Sequence, residues 1–191
     1  MTTKERILLE SMKLFSIRGF DSVSVRSIAS EVGVQNSALY KHYKSKQAIF
    51  DAIVTESKER FLKKYEEMSS YELKTPQDLV EMLMKMFFYQ TKDAWITMFR
   101  RMLMLEMFKN PHMAAVYKKI FIDMPLQRQK LIFDSLISTG VLRDENAEVM
   151  SLELYAPFFL YHAVDEDPQR LEPLLRRHIL NFLNNYMEDG K

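Results

Sequence analysis

Apolar residues recur every three or four positions along almost the whole 191-residue chain, and the strict alternation of a half-buried strand is absent. The clearest stretch runs from Ser24 to Lys46, SVRSIASEVGVQNSALYKHYKSK. Val25, Ile28, Ala29 and Val32 stand at i, i+3, i+4 and i+7, the inward stripe of a two-turn helix, and Ser24 is placed to cap its free N–H groups. Gly33 follows at once, and glycine enters a left-handed turn without steric penalty, so the chain can redirect within a few residues. A second short helix, about Gln35 to Tyr43, carries Leu39 as its apolar anchor, while Ala29 is small enough to let the two helices cross closely. This is the spacing of a helix-turn-helix.

The remainder reads as helix after helix. Thr75-Pro76 with Asp78, Asn110-Pro111 and Asp167-Pro168 each set a capping side chain beside a proline of the first turn, which predicts helix starts near 76, 111 and 168. A long helix from Lys46 to about Met68, capped by Ser45 and free of breakers, links the N-terminal segment to the rest of the chain. Further helices are expected over about Asp93 to Phe108, Pro125 to Ser138 (ended by Gly140) and Ala147 to Val164, the last with an internal Pro157 that should kink it. The expected fold class is all-α, about nine to ten helices, divided into a helix-turn-helix domain over 1–48 and a larger helical domain over 49–191.

Polar residues on the second short helix change the picture from fold to function. Asn36, Ser37, Tyr40, Lys41 and His42 lie around Leu39 with nothing nearby to bury them. Asn and Ser can address base edges, Tyr and His can reach phosphates or thymine methyls, and Lys41, Lys44 and Lys46 can neutralise phosphate charge. Such a surface suits the DNA major groove.

The same residues carry a family resemblance. The segment from about Lys4 to Phe50 resembles the DNA-binding domain of the tetracycline-repressor (TetR) family of transcriptional regulators, through the opening helix ILLESMKLFSIRGF, the run Ser24-Val25-Arg26-Ser27-Ile28-Ala29, Gly33-Val34, and Ala38-Leu39-Tyr40-Lys41-His42-Tyr43-Lys44-Ser45-Lys46. The resemblance covers about a quarter of the chain. It implies that the third helix lies in the major groove with Asn36, Ser37, Ala38, Tyr40, Lys41 and His42 at its contact positions, and that Arg26 and Lys46 meet the backbone or groove edge. Ser24 and Val25, at the same helix start as Arg26, complete the candidate DNA-binding set. It also implies a homodimer whose two heads read an inverted-repeat operator, and a ligand pocket in the body.

Composition agrees. With 47% apolar and 28% charged residues the chain is an ordinary folded protein, and its formal charge of +1 is unevenly spread. Residues 1–48 hold eight Lys/Arg against four Asp/Glu, a net +4, which leaves −3 for the rest. A basic head and an acidic body steer the head toward DNA. The absence of cysteine excludes disulfides, thiolate metal sites and cysteine catalysis. No apolar run suits a membrane span, and MTTKERILLE lacks a signal-peptide core, so a cytoplasmic location is expected.

Two features of the body point to partners. The last helix aligns Leu171, Leu175, Ile179, Phe182 and Tyr186 on one stripe, and the helix before it is apolar nearly all round, including Leu152 and Leu160. Two such helices repeated by two-fold symmetry would form a four-helix dimer interface, unless both simply face their own core. Fourteen Met and thirteen Phe form the second feature. Met82, Met86, Trp95, Phe99, Met102, Tyr117, Phe121, Tyr155, Phe158 and Phe159 recur at helical spacing and could line a cavity for a small apolar or aromatic effector, with Glu106 or His162 as its polar contact. The plainer reading makes these residues core, pairs Glu106 with Lys109, and leaves His162 beside Asp165 and Glu166 at a solvated helix end.

An enzyme is disfavoured. The histidines at 42, 112, 162 and 178 share no metal-ligand spacing, and neither a phosphate loop nor a nucleophile elbow is present, so no catalytic set, metal or cofactor is expected. The expected function is a DNA-binding transcriptional regulator, a repressor released by its ligand. A ligand-independent or activating protein of the same fold is the alternative.

Overall fold

The computed structural model describes residues 1–69, 75–164 and 167–187. Among them lie ten α-helices: α1 (Thr3–Arg18), α2 (Val25–Val32), α3 (Asn36–His42), α4 (Lys46–Ser69), α5 (Pro76–Lys92), α6 (Ala94–Glu106), α7 (Pro111–Lys118), α8 (Met124–Ser138), α9 (Ala147–His162) and α10 (Pro168–Tyr186). A short π-helical stretch, Lys119–Asp123, joins α7 to α8. No β-strand occurs among the described residues; one antiparallel bridge pairs Leu142 with Met187.

The capping residues act as their chemistry dictates. Ser24 and Ser27 form a reciprocal capping box at the start of α2, Ser45 Oγ accepts the Ala48 N–H at 3.0 Å, and Asn110 and Asp167 accept N–H groups of the first turns of α7 and α10. The boundaries expected from sequence therefore hold to within about two residues. α9 continues through Pro157 as one element.

The chain forms two compact units, which differ from a division at residue 48. The first comprises Met1–Glu66 and Lys92–Lys119, so α6 and α7 belong with the helix-turn-helix; the second comprises Glu67–Thr91 and Ile120–Lys191. α1 packs on both α2 and α6 in the first unit. Its core includes Ile7, Met12, Phe15, Ile28, Leu39, Phe50, Phe61, Phe99 and Met102, all fully buried. The second unit is built around Val80, Met84, Phe87, Phe133, Leu154, Phe158 and the α10 stripe Leu171, Leu175, Ile179 and Phe182.

That last group corrects the interface expected from sequence. Leu171, Leu175, Ile179 and Phe182 are buried within their own chain, and the Phe182 ring packs 5.4 Å from Phe133. An amphipathic stripe turns toward the nearest apolar surface, and here its own unit supplies one. Tyr186 is half-buried, and its hydroxyl donates to Glu153 of α9. Leu152 and Leu160 do face outward, at 59% and 63% exposure.

Candidate nucleic-acid interface

α2 and α3 meet at a turn whose geometry follows from one residue. Gly33 has φ 74° and ψ 36°, the left-handed region, and its N–H together with that of Val34 closes the last carbonyls of α2. Arg6 of α1 completes this end, donating to the Val32 carbonyl at 2.6 Å. The seven-residue α3, roughly 10 Å long at 1.5 Å per residue, then buries only Leu39. Asn36, Ser37, Lys41 and His42 are exposed, Tyr40 is 44% exposed, and Ala38 is half-buried. A helix of that length with one anchored face can enter a major groove about 12 Å wide.

The remaining candidate contacts divide into two kinds. Arg26 and Lys41, with the adjacent Lys44, are exposed and make no hydrogen bond or ion pair among the described residues. Ser24 already holds the α2 cap, and Val25 is half-buried behind it. Lys46 departs furthest from expectation. Its ammonium donates to the carbonyls of Phe20, Val23 and, at 3.4 Å, Asp21, and sits 4.3 Å from the Phe20 ring centre. An ammonium has three N–H groups, so in this structure Lys46 uses them to brace the α1–α2 turn.

A sequence profile described as bacterial regulatory proteins, tetR family, matches residues 7–53, which spans α1 to α3 and the start of α4. Residues 7–53 therefore match the tetR family of bacterial regulatory proteins. Over 46 residues it is 46% identical to "Uncharacterized HTH-type transcriptional regulator YerO" of Bacillus subtilis, covering 24% of this chain and 16% of that one. It thus spans well under two thirds of that relative. A longer match, 25% identical over 171 residues, covers 84% of this chain and 72% of "Probable HTH-type transcriptional regulator YttP" from the same organism. The solved structure of Salmonella enterica GusR has the same fold, with a TM-score of 0.71, 22% identity and 95% of each chain covered.

The residues that sequence offers for an effector cavity divide between the two units. Trp95, Phe99, Met102, Glu106 and Tyr117 lie in the first; Met82, Met86, Phe121, Tyr155, Phe158, Phe159 and His162 lie in the second. Several are structural. Trp95 donates its indole N–H to Ser57 Oγ at 2.8 Å and lies under the Arg60 guanidinium, 4.1 Å from its ring centre, so it ties α6 to α4. Glu106 does not pair with Lys109: it is 3% exposed and its Oε1 accepts the Phe20 backbone N–H at 2.8 Å. Phe99 and Met102 are wholly buried, and burial pushes the Tyr117 phenol up while the Arg100 charge opposes the shift.

In the second unit Tyr155 donates to the Phe121 carbonyl at 2.7 Å. His162 sits among aromatic rings, stacked on Phe87 at 5.9 Å and edge-on to Tyr155 and Phe159 at 6.0 and 6.4 Å. Phe158 packs edge-on to Phe87 at 5.5 Å, Met82 is buried, Met86 half-buried and Phe159 37% exposed. Asp165 and Glu166, the neighbours of His162 in sequence, lie outside the described residues. Among those described, no three His, Asp or Glu converge as a metal site would require, and no helix is long and apolar enough to cross a membrane.

Proposed function

We propose that this chain is a DNA-binding transcriptional regulator in which residues 1–48 contact DNA and residues 49–191 supply dimerisation and effector response. The observation that carries this reading is α3: one buried leucine, and a complete outward set of Asn36, Ser37, Tyr40, Lys41 and His42. Exposed Arg26 and Lys44 flank it with positive charge suited to phosphates.

A single head of this size gives little selectivity, whereas two heads held by two-fold symmetry read an inverted repeat with half-sites about 34 Å apart. The outward apolar stripe of α9, Val149, Leu152 and Leu160, supports a homodimer, because an exposed stripe of this kind calls for an apolar partner. The aromatic surroundings of His162 support a small apolar or aromatic effector that favours the non-binding state, which makes the regulator a ligand-released repressor working in the cytoplasm. No catalytic role is assigned.

The test is binding to duplex DNA carrying the inverted repeat nearest the gene, followed by anisotropy at fixed salt. Tyr40→Ala combined with Lys41→Ala should weaken binding at least about tenfold, the worth of one base contact and one phosphate contact together. Unchanged affinity would overturn the groove assignment.

A further inference from the structure

The turn between α1 and α2 is held from two sides at one residue. The Phe20 N–H donates to Glu106 Oε1 at 2.8 Å, and the Phe20 carbonyl accepts from Lys46 Nζ at 2.7 Å. Glu106 is the last residue of α6 and Lys46 the first of α4, so two distant segments grip the successive peptide groups on either side of one residue, Phe20. The Phe20 ring wedges below, 5.2 Å from Phe15 and 5.4 Å from Phe50. Gly19 makes room for this arrangement. Its φ is +79°, and a Cβ there would lie 2.7 Å from Glu106 Oε1, so the carboxylate fills the space a side chain would take. Lys46 also grips the Val23 carbonyl at 2.9 Å, one residue before Ser24 caps α2. The path of the chain into α2 is therefore fixed by Glu106 and Lys46, and α2 in turn carries Arg26 and seats α3.

We infer that Glu106, together with Lys46, is a positioning residue for DNA discrimination: the pair clamps the backbone on both sides of Phe20 and so sets how Arg26 and α3 are presented, without Glu106 touching DNA itself. The inference rests on the DNA-binding reading given above. Non-specific binding depends on charge and tolerates a loosened head, whereas base readout needs donors held to within about half an ångström. Loss of the clamp should therefore separate the two. Glu106→Leu removes the acceptor and leaves the part-buried Phe20 N–H without its carboxylate, while Glu106→Gln keeps Oε1 as an acceptor in the same shape. Lys46→Met removes the opposite grip.

The experiment first selects a preferred duplex from a randomised pool with the unmodified protein, then measures each variant against that duplex and against poly(dI-dC) at one salt concentration, alongside hydrogen exchange over residues 19–26. Glu106→Leu should lose about tenfold or more on the selected duplex and less than about twofold on poly(dI-dC), the scale of one buried charge-assisted bond acting on geometry alone. Exchange over 19–26 should quicken while α9 and α10 are unchanged. Glu106→Gln should stay within about threefold of the unmodified protein, since its bond is weaker but present. Lys46→Met should show the same split with an unchanged salt slope, whereas loss of a phosphate contact would reduce that slope by about one. Retained discrimination in Glu106→Leu, a Gln variant as poor as Leu, or a Lys46→Met variant with a reduced slope overturns the clamp. If the unmodified protein selects no duplex, the DNA-binding reading itself falls.

Discussion

α3 and α9 are helices of one chain that divide their surfaces in opposite ways. α3 buries Leu39 alone and turns Asn36, Ser37, Tyr40, Lys41 and His42 outward, while α9 buries Met150, Leu154, Tyr155, Phe158 and His162 and still leaves Val149, Leu152 and Leu160 outside. A polar surface on a single anchor suits a charged, hydrogen-bonding partner. An apolar surface left over from a full core suits another apolar surface. The contrast supports the proposal of DNA as partner of the first and a second copy of the chain as partner of the second, using only which side chains each helix keeps for itself.

The contrast depends most heavily on the anchor. Leu39→Ala should cost about 3 kcal/mol, as for other fully buried leucines, and abolish DNA binding because nothing else in α3 holds it down. Urea unfolding should show the loss in the first unit's transition and leave the second unit's unchanged. On the opposite side, Leu152→Asp with Leu160→Asp removes exposed groups, so the fold should survive. Sedimentation should nevertheless show the dimer constant weakened about a hundredfold or more, because carboxylates would be buried unpaired in the interface. A dimer of undiminished strength would move the interface elsewhere.

Three substitutions with smaller effects refine the division. Gly33→Ala forces a Cβ into the left-handed turn, and since no atom lies within 4 Å of that Cβ the cost should be backbone strain alone, about 1–2 kcal/mol. Lys41→Ala should leave stability unchanged and reduce the salt slope of DNA binding by about one. The smallest effect concerns the tie between α9 and α10. The bond to Glu153 pushes the Tyr186 phenol up to about 12, which favours the protonated form in the folded state. Its stabilisation is therefore complete below about pH 10, the ordinary phenol value, and is lost as pH rises through about 12. Tyr186→Phe should lower stability by at most about a few tenths of a kcal/mol in neutral buffer, because the pair is solvent-screened, with the difference vanishing at high pH.

Helix starts were legible in the sequence because a cap is a local contract: Ser24, Ser45, Asn110 and Asp167 satisfy N–H groups two or three residues away. The turn at Gly33 and the anchor Leu39 are local for the same reason. The hydrogen bonds of Lys46, Glu106 and Trp95 are not legible in the sequence, because their partners lie 26, 86 and 38 residues away. Residue type alone cannot say whether a lysine meets a phosphate or a carbonyl. The α10 stripe was seen correctly as a stripe, but periodicity carries no information about which apolar surface covers it.

Everything assigned to the head depends on α3 reading bases in two symmetric half-sites. The direct measurement is selection from a randomised duplex pool with the unmodified protein and with Asn36→Ala. The expected result is an enriched inverted repeat, and a preference that relaxes at the same position in both half-sites when Asn36 is truncated. An enriched site without two-fold symmetry, or one whose base preferences are unchanged by Asn36→Ala, Ser37→Ala and Tyr40→Ala alike, would contradict it.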